Sequence, residues 1–223
     1  MSEYRLWWIK EMIETPSPQT ERLVLFWHNH FVSAYSAINE QFDLDEIKVF
    51  SRSKEKRNKF VNKMGNKLNI NIRAYNSSDE ATSNADIISL ITNSNVPVIT
   101  NSQITNGMHI NAAGGNSWLR SEISSDSIGK FNFVSCDDVE QAKNECKELM
   151  DATEKGIISW SNVNELSNVI DGKIKGRNNS EDITLYESLG IAIQDIAAAK
   201  YIYDQLKITK KLDEAGISYI EGG

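Results

Sequence analysis

A chain of 223 residues, 40% hydrophobic and 25% charged, can bury the core of one large domain or two small ones, and its composition excludes disorder, collagen and coiled coil. A formal net charge of −7 argues against nucleic acid or an anionic membrane surface as the main partner. No apolar run approaches the roughly 18 residues of a membrane span, residues 1–13 lack the pattern of a signal peptide, and Cys136 and Cys146 have neither disulfide-framework nor metal-ligand spacing, so a reduced, cytoplasmic protein is expected.

The texture changes once along the chain. Residues 4–35 hold three of the five tryptophans, two of the three histidines and two of the three prolines, whereas the sequence beyond Ile38 is rich in Asn and Ile. A boundary is therefore expected at residues 36–39, with no Pro/Gly/Ser linker. Leu6, Ile9, Met12 and Ile13 recur at helical spacing, and Thr15-Pro16-Ser17-Pro18 ends that helix because proline lacks an amide donor and restricts the residue before it. A second helix over residues 19–31 puts Leu23, Phe26, Trp27 and His30 on one face. His28 and His30 invite a metal reading, but residues two apart on a helix point to different sides. Helix packing is the plainer reading, and no metal site is expected.

From Ile47 short apolar strands alternate with helices, the pattern of a parallel α/β sheet. Strands are predicted at 47–50, 70–75, 86–91, 108–113 and 131–135, with helices at 54–64, 78–84, 139–154, 163–170 and 191–206. The third strand runs into the polar loop Thr92-Asn93-Ser94-Asn95, at the end where open α/β sheets place ligands. A dinucleotide fold opens with a strand and a Gly-x-Gly-x-x-Gly turn, yet the first glycine of this chain is Gly65. The fold class expected is α/β: a partial Rossmann-like dinucleotide-binding domain with a parallel sheet, lacking the first strand and glycine-rich turn, behind a short α-helical segment. The second strand of such folds ends at the adenine ribose, where an acid favours NAD and an arginine accommodates the phosphate of NADP. Here that place holds Ser51-Arg52-Ser53, and Arg52 either forks onto a 2′-phosphate or is a solvated residue at a helix start.

Five ordered strings carry a family resemblance: Lys48 to Ser53, Ala85 to Thr92 with Pro97, Gly107 to Gly114, Arg120-Ser121-Glu122, and Leu185 to Asp195. Together they resemble the carboxyl-terminal part of the ornithine cyclodeaminase and mu-crystallin family, over roughly 160 of the 223 residues. Trp7-Trp8, Met12, Thr15 to Pro18, Glu21-Arg22 and Leu25 to Phe31 resemble the start of an uncharacterised bacterial family instead.

The resemblance implies a homodimer that binds NADP(H) or NAD(H), NADP being favoured by Arg52, and that acts on the Cα–N bond of a small amino or imino acid as a cyclodeaminase, ketimine reductase or amino-acid dehydrogenase. It implies cofactor contacts at Ser51, Arg52, Ser53, Thr92, Asn93 and Leu189. Asn116 falls where the cyclodeaminases have their acid/base aspartate, and an amide can orient a substrate but not relay a proton. His109 is expected to be hydrogen-bonded in place, and Asp195 to make a helix-packing or hinge contact. The expected organisation is a helical fragment over 1–38, the cofactor domain over 39–208 and a tail over 209–223. Two other readings stand beside the enzyme: a nucleotide-binding module without turnover, and a hybrid of two gene fragments without selected activity.

Overall fold

A computed structural model describes residues 45–66, 70–115 and 117–208, with side chains as far as 204. The two amino-terminal helices with His28 and His30, Asn116 and the tail after 208 lie outside the described residues. Residues 45–191 form one compact unit.

That unit is α/β, with every strand pair parallel. β1 (Glu46–Val49) leads into α1 (Lys54–Gly65), and β2 (Asn71–Ala74) returns beside β1 in a two-stranded sheet. α2 (Ser78–Thr82) connects to β3 (Ile87–Leu90), the edge of a five-stranded sheet. Next come β4 (His109–Ala112), β5 (Phe133–Cys136), α3 (Val139–Glu145), α4 (Lys147–Glu154), β6 (Val163–Glu165), α5 (Leu166–Ile170) and β7 (Thr184–Glu187). The large sheet runs in the order β3-β4-β7-β5-β6. Among the described residues the break falls between β1 and β3, the place that the first strand of the doubly wound order occupies.

Capping chemistry sets the helix starts. Ser53, Ser77 and Asp138 each hold an extended backbone while a side-chain oxygen accepts an amide of the first turn, which satisfies a donor the helix leaves orphaned. β3 and β4 alternate between exposed or half-buried and buried residues. Ile88, Leu90, Ile110, Ala112, Val134 and Leu185 are buried with Met108, Ile99, Ile123, Ile128 and Leu149 in one core. Each large aliphatic side chain buried there contributes about 1.5–3 kcal/mol, and β4, β7 and β5 are the inner strands of the sheet.

Two expectations are corrected, and one strand is new. The helix expected over 139–154 is broken at Cys146, whose extended backbone (φ −83°, ψ 94°) ends α3 and starts α4. The helix expected over 163–170 begins as β6, because Val163, Asn164 and Glu165 pair with β5 and only the last five residues are helical. Thr184–Glu187 is a central strand that the alternation did not signal. The final helix, α6 (Ala192–Ile208), falls outside the compact unit and exposes Ile193, Ile196 and Tyr201.

Candidate functional site

Because the strands are parallel, their carboxyl-terminal loops gather along one edge of each sheet, with Leu90, Ala112, Glu187 and Cys136 in register across the larger one. The loop after β1 carries Ser51, Arg52 and Ser53. Arg52 is exposed, and its Nη2 donates to Oδ1 of Asn93, on the loop after β3, at 3.0 Å. The geometry thus brings together residues expected at different parts of a cofactor. Ser51 Oγ donates to the Ser53 carbonyl at 3.1 Å, and Ser53 Oγ accepts from Lys56 N at the start of α1. Beneath them Arg57 is buried, donating to the Ser51 carbonyl at 2.9 Å and to Asn76 Oδ1 at 2.7 Å, so the loop is braced from below.

Glu122 fixes the loop after β3. It is fully buried, and its two oxygens accept from the Thr92 amide at 2.5 Å and the Gly114 amide at 2.6 Å, tying the ends of β3 and β4 together. Thr92 Oγ1 accepts from Ser94 N at 3.2 Å and rounds the turn. Gly114 is needed for this approach: a Cβ there would lie 2.0 Å from the Thr92 carbonyl oxygen.

Asp137, directly after β5, does the same for the loop after β7. Oδ2 accepts from the amides of Leu189 and Gly190, both at 2.8 Å, and from Ser188 Oγ at 3.3 Å, while Oδ1 accepts from the Tyr186 hydroxyl. Leu189 is buried in consequence, and Gly190 adopts φ 77°, a conformation open to glycine. Neither Glu122 nor Asp137 is among the residues expected from the sequence in a positioning role. An acid directly after a strand was the only available signal for Asp137.

A second layer of acids lies underneath. Glu148 Oε1 accepts from the amides of Glu122 at 2.5 Å and Ile123 at 3.4 Å. Burial pushes its carboxyl up to about 7 against the pull of those amides. Glu187 is fully buried, and burial followed by the charges of Glu148 and Glu122 raises it well above the ordinary carboxylate value. The same causes hold the thiols protonated: burial and then Asp137 push Cys136 up to about 12, and burial and then Glu187 push Cys146 well up.

His109 stands at the first residue of β4, at the other end of the sheet from these loops. Nδ1 meets Thr184 Oγ1 at 2.7 Å and Nε2 meets Asn111 Oδ1 at 3.1 Å. Burial lowers its pKa, helped by the Arg177 charge. Asp195 is exposed on α6. No described helix is long and apolar enough to cross a membrane.

The pattern of the ornithine cyclodeaminase/mu-crystallin family matches residues 30–210, and that of a protein family of unknown function (DUF1800) matches residues 1–50. A Delta(1)-pyrroline-2-carboxylate reductase of Bacillus cereus is 32% identical over 164 residues, 73% of this chain and 50% of that protein. The Thermococcus litoralis Delta(1)-pyrroline-2-carboxylate reductase, solved in complex with NADH and L-proline, superposes with a TM-score of 0.73 at 29% identity, over 84% of this chain and 57% of that one. An archaeal alanine dehydrogenase dimer with bound NAD superposes with a TM-score of 0.70 at 30% identity, over 79% and 54%. The chain spans about half the length of the curated relatives it matches. With the family pattern covering most of the chain and the parallel fold shared with these structures, the protein belongs to the ornithine cyclodeaminase/mu-crystallin family.

Proposed function

We propose that this chain binds a nicotinamide dinucleotide along the carboxyl-terminal edge of its strands and acts on the Cα–N bond of a small amino or imino acid. The observation that carries the reading is the Arg52–Asn93 hydrogen bond, which sets two loops expected to contact the cofactor side by side. Ser51, Arg52 and Ser53 would take the adenosine end, Thr92 and Asn93 the middle, and Leu189 the nicotinamide end. The residues fit the adenosine end: Arg52 is exposed and spends one of its five donors on Asn93, leaving the others for a 2′-phosphate, so NADP(H) is preferred to NAD(H). When bound, the dinucleotide supplies hydride chemistry. The chain's own contribution is orientation: Glu122 and Asp137 hold the loops, and Asn116 would position substrate by hydrogen bonds.

Residues 39–208 would form the cofactor domain, 1–38 a helical fragment of other ancestry and 209–223 a tail. The functional unit would be a homodimer, as in the alanine dehydrogenase neighbour, and its compartment the cytoplasm. A second reading, a nucleotide-binding module without turnover, is favoured by the separation of the sheet into β2-β1 and β3-β4-β7-β5-β6. A hybrid of two gene fragments is its extreme form, favoured by the two family patterns that meet in this chain.

Absorbance of NADPH at 340 nm, followed with and without a cyclic imino acid, separates the readings. The enzyme oxidises NADPH only when the imino acid is added. Cofactor binding with no absorbance change, and with no ammonia released from a small diamino acid and no NADP+ reduced with a small amino acid, leaves the binding module, and no binding by a folded chain overturns both.

A further inference from the structure

Beneath the loops described above, Cys146 at the start of α4, Glu148 in its first turn and Glu187 at the end of β7 each turn a donor atom toward the others. Cys146 Sγ and one carboxylate oxygen from each acid all lie within 4.8 Å of one another. All three residues are fully buried. Such a cluster of acids alone could be a set of shared protons; two features distinguish this one.

The first is Glu187. Neither of its oxygens has an N–H or O–H hydrogen-bond partner, although the side chain is 0% exposed and faces the group. The Cys146 thiol is the weak donor beside it. A proton would remove the charge but would leave the carboxyl without strong partners, which is the costly condition for a buried polar group. A cation satisfies both requirements at once. The second feature is how Glu148 is held. Oε1 is occupied by two backbone amides, which turns Oε2 toward Cys146 Sγ at 4.0 Å. Metal ligands are oriented in this way by a supporting shell of hydrogen bonds. Gly115 keeps the approach to the carboxylate open, since a Cβ there would lie 3.3 Å from both Glu148 oxygens.

We propose that Cys146, Glu148 and Glu187 form a site for one divalent transition-metal ion of the zinc class. A thiolate with two carboxylates suits zinc, whereas calcium and magnesium take larger, all-oxygen sets. Bonds of about 2.3 Å to sulfur and about 2.0–2.2 Å to oxygen put tetrahedral donors roughly 3.5 Å apart, so the group closes on the ion by small side-chain movements. Binding releases the protons of the thiol and of any protonated carboxyl to solvent, and the ion crosslinks the end of β7 to the start of α4. No sequence spacing signals the site, because Glu187 comes from a strand 39 residues beyond Glu148.

The test is titration of the full-length, metal-free chain with Co²⁺, followed by near-ultraviolet thiolate-to-metal absorption, with thermal midpoints in Zn²⁺ and in excess chelator. The expected result is one equivalent of Co²⁺ with a thiolate band, displacement by Zn²⁺, and a midpoint raised by Zn²⁺ and restored by the chelator. The chain has two cysteines. Retention of the band in Cys136→Ser and its loss in Cys146→Ser assign the sulfur, and Glu187→Gln weakens binding at least about tenfold. A folded wild-type chain that shows no band and no midpoint shift overturns the proposal. So does a band that survives Cys146→Ser or disappears in Cys136→Ser, the latter deciding the matter even if the Cys146 variant does not fold.

Discussion

The Arg52 guanidinium donates to the Asn93 side-chain carbonyl at 3.0 Å and so joins the end of β1 to the end of β3, two strands that no backbone ladder connects. The same arginine is the group expected to choose between cofactors. Replacing it with Asp puts a carboxylate where a 2′-phosphate would sit and removes the bond to Asn93. Affinity for NADPH should fall by tenfold or more, an energy of about 1.4 kcal/mol, while NADH binding falls much less. Equal losses for the two cofactors in a fluorescence titration would show that Arg52 does not read the phosphate.

Glu122 bears on stability as well as on loop position. Glu122→Ala leaves the Thr92 and Gly114 amides without their buried acceptor, and losing charge-assisted hydrogen bonds of this kind costs about 3 kcal/mol. Urea unfolding should show a lower midpoint with an unchanged slope. An unaltered midpoint would mean that other groups take up the two amides.

Gly114 gives an independent measure of the same junction. In Gly114→Ala the new methyl would meet the Thr92 carbonyl oxygen at 2.0 Å and the Thr92 nitrogen at 2.6 Å, both backbone atoms that cannot swing aside. A loss near the upper end of the overpacking range, about 3 kcal/mol, is expected. At Gly65 nothing lies within 4 Å of a Cβ, and the matching Gly65→Ala change should cost no stability. Similar midpoints for the two variants would contradict the close approach of the loops.

His109 makes stability depend on pH with a definite sign. Its native pKa is depressed by burial, below the ordinary 6.5. Above about 6.5 neither state is protonated and the contribution is level. Below it the unfolded chain takes up a proton that the native imidazole resists, so stability falls as pH drops from about 6.5 toward the depressed native value. In His109→Gln that contribution is lost, so the midpoint should fall less, or rise more, than in the wild type as pH drops below about 6.5. An unchanged slope would show that His109 does not carry this dependence, since the raised carboxyls of Glu148 and Glu187 act with the opposite sign, favouring the native state as pH falls.

The parallel α/β character was legible because short strand-forming runs such as Ile87 to Ile91 and Met108 to Ala113 alternate with helices opened by Ser53, Ser77 and Asp138. Local chemistry misled in two places. Val163, Leu166, Val169 and Ile170 have helical spacing, yet the first three of residues 163–170 pair with β5, since tertiary pairing outweighs a weak local preference. Ala142, Cys146 and Leu149 likewise suggest one helix, but the chain extends at Cys146, and the turn that follows sets Glu148 on the amides of Glu122 and Ile123. The supports of the site were hidden for a different reason. Glu122 and Asp137 act on amides 30 and 52 residues away, at Thr92 and Leu189, distances over which no sequence period operates.

Direct titration of the full-length chain with NADPH and NADH, reading cofactor fluorescence and the thermal midpoint together, tests the central claim. The account predicts saturable binding with a dissociation constant of tens of micromolar or tighter, a midpoint that rises with cofactor concentration as linkage requires, and tighter binding of NADPH. A cooperatively folded chain whose midpoint and fluorescence respond to neither cofactor would contradict it.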